Sequence, residues 1–89
     1  MASSFNAKVN ELGYKIIKKK DEKILITKEG DLATIVILFE NDKKYISGCI
    51  KINRFIYTVA EQAEQYAIFN EMLEDLKTFK ELSGYDILN

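Results

Sequence analysis

The sequence predicts an α+β fold, a four-stranded antiparallel meander sheet flanked by a short N-terminal helix and a long C-terminal helix, in the order α-β-β-β-β-α. Three observations predict it. Four strand-like stretches lie between residues 14 and 52, separated by turns rich in Asp, Glu, Asn and Gly. Residues 32–39 are apolar on both parities, as a central strand covered on both faces would be. From Thr58 the pattern changes to helical spacing, and no proline interrupts any element. The 89 residues are expected to form a single domain, 1–89, with a modest core.

The first helix is expected from Phe5, Val9 and Leu12 at i, i+4 and i+7, with Ser3 or Ser4 as its cap and Gly13 as its stop. Residues 14–20 alternate weakly. Residues 23–28 contain Ile24, Leu25, Ile26 and Thr27, all strand formers. Turns at 21–22, 29–31 and 41–42 join these segments to residues 32–39 and 44–52. In the last strand Ile46, Ile50 and Ile52 fall on one side and Tyr45, Ser47, Cys49 and Lys51 on the other. Gly48 at its centre points to a bulge or a close contact. Thr58 and Glu61 form a capping box, and the helix runs to about Leu82, where Ser83 and Gly84 end it and Tyr85 is expected to fold back on Phe79. A helix of that length extends about 36 Å, so a kink or an overhang beyond the sheet is expected.

Composition excludes several chemistries. There is no histidine, the commonest general base and metal ligand. The single cysteine, Cys49, can form neither an internal disulfide nor a thiolate cage, and its apolar strand suggests a core position. No glycine-rich phosphate loop, nucleophile elbow or metal spacing is present. The expectation is a non-enzyme with no cofactor, no metal and no catalytic residue. The reduced thiol, the absence of a long apolar run and the lack of a signal-peptide pattern point to a cytoplasmic protein with no membrane partner. Twelve lysines against one arginine, with abundant isoleucine and asparagine, read as AT-rich coding of a low-GC bacterium or its phage.

Charge is polarised along the chain. Residues 61–89 hold seven carboxylates against Lys77 and Lys80, whereas residues 1–30 hold seven lysines against four carboxylates. Such asymmetry speaks to partners. On the long helix Tyr66, Phe69, Met72, Leu73 and Leu76 are expected to pack on the sheet, leaving Glu61, Glu64, Ile68, Glu71 and Asp75 as an outward stripe. An acidic stripe is ordinarily a solvated face. Here no lysine is interleaved between residues 55 and 76, and Ile68 places an apolar anchor among the charges, which favours a partner-binding surface. Its expected partner is a basic, nucleic-acid-binding protein.

Two further surfaces compete with the stripe. Lys15, Lys18, Lys19, Lys20 and Lys23 could track phosphates, but an edge strand is routinely protected by lysines, alternation splits them between faces, and no arginine supplements them. Direct nucleic-acid binding is therefore disfavoured. The sheet face away from the long helix, with Leu25, Val36, Leu38, Tyr45 and Cys49, needs covering by the first helix or by a second copy, which makes a homodimer the third reading. Ala60, Ala63 and Ala67 form a small-residue row expected to receive the first helix. In size, topology and charge the chain resembles small inhibitors encoded by phages or mobile elements, some anti-CRISPR proteins among them, which work by occupying nucleic-acid-binding surfaces. The resemblance includes no motif and assigns no residue.

Overall fold

A computed structural model describes residues 2–88. Helix α1 (Ala2–Glu11) leads into β1 (Lys15–Lys19), β2 (Lys23–Lys28), β3 (Ala33–Glu40) and β4 (Tyr45–Ile52), followed by α2 (Val59–Ser83) and a two-residue strand β5 (Asp86–Ile87). The sheet order is β1-β2-β3-β4-β5, antiparallel throughout except that β5 runs parallel to β4. The α+β meander follows as expected, with β5 added. Two residues are too few to show periodicity, so β5 becomes a strand only because α2 delivers it to the free edge of β4. Helix α1 already includes Ser3 and Ser4, so neither is its cap.

The pleat of β3 sorts the core. Ala33, Ile35, Ile37 and Phe39 are buried, while Thr34, Val36, Leu38 and Glu40 on the other parity are half-buried. Both helices cover the first set. Phe5 of α1 meets Phe39 edge-on with ring centroids 5.1 Å apart, and Phe79 of α2 meets the same ring at 5.2 Å. Val9, Ile26, Ile46, Met72 and Leu76 complete one cluster around these rings. Since α1 packs there, it covers neither the opposite sheet face nor the alanine row of α2, whose three members are exposed.

Gly48 marks a close approach and not a bulge. Its pairing with Ile37 is regular, and a β-carbon built there would stand 3.0 Å from the Met72 sulfur and 3.2 Å from Leu76 Cδ1. The missing side chain lets α2 settle onto β4. At the other end of α2, Gly84 takes φ 76° and donates its backbone N–H to the Lys80 carbonyl, a left-handed stop. Tyr85 folds back against the core cluster that contains Phe79, its backbone N–H donating to Ser83 Oγ, which itself donates to the Phe79 carbonyl. The Tyr85 hydroxyl reaches Asn41 Oδ1 at 3.1 Å, tying the C-terminal segment to the β3–β4 turn.

Helix α2 overhangs the core with its first half. Its fully buried residues are Met72, Asp75, Leu76 and Phe79, all in its second half. The molecule measures 42 × 22 × 20 Å, its long dimension close to the roughly 37 Å of a 25-residue helix. No helix among the described residues is long and apolar enough to cross a membrane.

Candidate functional surfaces

The four carboxylates of the expected stripe have different fates. Asp75 is only 6% exposed; it accepts a hydrogen bond from the Tyr14 hydroxyl at 2.6 Å and another from Lys28 Nζ at 2.8 Å. Glu71 accepts from the same Lys28 Nζ at 2.6 Å. Glu61 accepts from the backbone N–H groups of Tyr57 and Thr58 and pairs with Arg54, whose other branch reaches Asp31 at 3.1 Å. Those contacts, the Arg54 guanidinium first, hold the Glu61 carboxyl down to about 2. Glu64 stands exposed, and Ile68 is half-buried against the core cluster.

This corrects the helix register. Glu61, Ile68 and Asp75 lie on the sheet-facing side with Met72, Leu76 and Phe79, whereas Tyr66, Phe69 and Leu73 are exposed. The helix carries two apolar stripes, and the one interrupted by Asp75 is the one that packs. A buried carboxylate is costly without partners. The partners come from distant positions: Tyr14 immediately before β1 and Lys28 at the end of β2. The like-charge repulsion is relieved in the same way, by Lys28 and Arg54 from other elements.

The lysine cluster also changes character. Register runs Lys15 to Thr27 and Ile16 to Ile26, then resumes at Lys18 to Leu25 and Lys19 to Ile24, leaving Ile17 as an inserted residue. A bulge of this kind shifts parity by one. Lys15 and Lys18 therefore share the face of Leu25 and Thr27, and simple alternation would have separated them. Lys23 lies on the same face, opposite Glu40, and Lys51 joins from β4, opposite Thr34. Lys20 lines a groove with Lys18, Lys23, Leu25 and Leu38; Lys19 goes to the other side, with Ile24.

Both helices leave this face uncovered. Ile17, Leu25, Thr27, Thr34, Val36 and Lys51 line a shallow depression that adjoins the lysine groove at Leu25. Cys49 is exposed there and is not a core residue, because the parity of β4 sets it beside Val36. Glu29 and Glu40 lie at the margin, Asp21 and Glu22 lie in the turn with Lys20 and Lys23, and Glu40 pairs with Lys43 at 3.5 Å. The result is an aliphatic centre bordered by five lysines on two sides, a charge pattern that edge protection of β1 does not account for in Lys51.

Among the described residues no group of three or more histidine, cysteine or carboxylate side chains is gathered to hold a metal ion. The class defined by these observations is a two-layer α+β domain with one sheet face open. Comparison with known proteins finds no family model, no curated protein and no solved structure that this chain matches.

Proposed function

We propose that the protein is a non-enzymatic protein-binding module whose partner surface is the open sheet face, and that the partner presents an acidic segment. The observation that carries this reading is the bulge at Ile17, which gathers Lys15, Lys18 and Lys23 with Lys51 around Leu25, Val36 and Leu38. An apolar centre with a charged rim is the pattern of a protein–protein interface, and the rim's sign selects an acidic partner. Single-stranded nucleic acid would ask for aromatic platforms at the centre, and here the centre is aliphatic. A symmetric second copy on this face would set lysine against lysine.

The reading in which α2 offers an acidic stripe to a basic, nucleic-acid-binding protein ranks behind it. Glu64 stays free for such a partner, but Glu61 and Asp75 are engaged within the fold. An inhibitor encoded by a phage or mobile element, as the resemblance in size and charge implies, is a setting that suits a module of either kind.

The test is amide-shift mapping of the full chain with two probes, a peptide alternating glutamate and leucine and an oligothymidylate. The peptide is expected to perturb Leu25, Val36, Leu38 and Cys49, with affinity falling as salt rises. Lys18→Glu combined with Lys51→Glu should abolish the effect while leaving the fold intact. Perturbation by the oligonucleotide alone would replace this reading with nucleic-acid binding, and silence from both probes would reject the surface.

A further inference from the structure

The outward side of α2 carries a second largely apolar stripe that the described residues leave exposed to a large extent. Val59, Ala63, Tyr66, Asn70 and Leu73 recur at alternating spacings of four and three, and Lys77 continues the series. That is the 3.5-residue repeat of a coiled-coil seam, distinct from the sheet-facing residues Ile68, Met72, Leu76 and Phe79. Val59, Tyr66 and the preceding loop aromatics Phe55 and Tyr57 are each between 71% and 81% exposed, and Phe69 and Leu73 beside them are 42% and 41% exposed. The stripe begins on the projecting half of the helix, where the sheet does not reach.

We infer that this stripe is the seam of a homodimer in which α2 of one copy packs antiparallel against α2 of another. The pattern is self-complementary only in that direction. Centring the two-fold axis near Ile68 sets Ala63 against the other copy's Leu73 and Tyr66 against its Asn70, small against large in the central layers, with Val59 against Lys77 in the outer one. A parallel pair would instead set alanine against alanine and Lys77 against Lys77. Antiparallel packing also opposes the two helix dipoles. Area supports a second copy as the occupant. A buried aromatic covers roughly 150 to 250 Å², so Phe55, Tyr57 and Tyr66 together with Val59, Phe69 and Leu73 approach the ~800 Å² per partner of a standard interface. The dimer leaves both open sheet faces outward, so each pair would present two partner surfaces.

Light scattering and sedimentation of the full chain are expected to give twice 10.3 kDa at micromolar concentration. Tyr66→Glu and Phe69→Glu should each weaken the dimer by about 100-fold or more, as loss of a central anchor does, with the circular dichroism unchanged. Orientation is read by oxidative cross-linking in a Cys49→Ser background. Ala63→Cys combined with Leu73→Cys should link two copies, whereas Ala63→Cys alone should not; within one helix the two positions are about 15 Å apart and cannot join. A monomer at every concentration overturns the inference. So does a dimer indifferent to both glutamate variants, which would place the interface elsewhere, and a cross-link from Ala63→Cys alone overturns the antiparallel arrangement.

Discussion

The hydroxyl of Tyr14 donates a hydrogen bond to the carboxylate of Asp75 at 2.6 Å, joining the residue before β1 to the buried face of α2 across 61 positions of sequence. Lys28 completes the arrangement, its ammonium 2.8 Å from the same carboxylate and 4.6 Å above the Tyr14 ring. Burial first, then the hydrogen bond and charge of Asp75, pushes the Tyr14 hydroxyl well above its ordinary range. Burial works against the charge of Lys28, but the hydrogen bonds to Asp75 and Glu71 outweigh it and raise its pKa as well.

Both shifts have the same consequence for pH. Each group holds its proton more tightly folded than unfolded, so its stabilisation is complete below the unfolded pKa near 10 and is lost as pH rises toward the folded value. Urea denaturation should therefore show stability declining from about pH 10 upward. Tyr14→Phe should cost about 2 kcal/mol at neutral pH, the scale of a hydrogen bond to a charged group, and should flatten that alkaline decline. An unchanged alkaline slope in the variant would show that Tyr14 does not carry it.

The register of α2 is tested by truncation on its two sides. Leu76→Ala should cost about 2 to 5 kcal/mol, as expected where a buried side chain leaves a cavity. Phe69→Ala, on the exposed side, should stay within about 1 kcal/mol in the monomer. Chemical denaturation below the dimerisation range distinguishes the two.

The start of α2 depends on a reciprocal cap in which the Glu61 N–H donates to Thr58 Oγ1 at 3.0 Å and the Thr58 N–H donates to Glu61 Oε1 at 3.0 Å. Thr58→Ala should destabilise by about 1 kcal/mol. Because the folded pKa of Glu61 lies below its unfolded value of 4.5, its contribution is present above pH 4.5 and fades as pH falls toward 2. Glu61→Gln should remove that acid-side dependence, measurable by thermal melts across this window.

Gly48 is tested by adding bulk. Gly48→Val forces new methyl groups toward Met72 and Leu76, both buried, and should cost about 1 to 3 kcal/mol. Met72→Ala in the same chain should recover part of that loss, because it vacates the space the valine needs.

Local signals in the sequence determined the elements of this protein. The turn residues at 29–31 and 41–42 set the hairpins, Thr58 and Glu61 set the start of α2, Gly84 set its end, and the double-parity apolar run set β3 at the centre of the sheet. Each depends on residues within a few positions of one another, so each is legible in the linear chain. Tertiary structure alone decided which way those elements face. Helix α2 has two apolar stripes, and the buried one contains a carboxylate that is tolerable only because Tyr14 and Lys28 arrive from positions far away in sequence. The lysines of β1 share a face because one inserted residue, Ile17, shifts the pleat, and pairing with β2 is what leaves it out of register. Cys49, in an apolar strand, is exposed because α1 joins α2 on a single side of the sheet. Orientation is a sum of non-local contacts, and short-range periodicity records none of them.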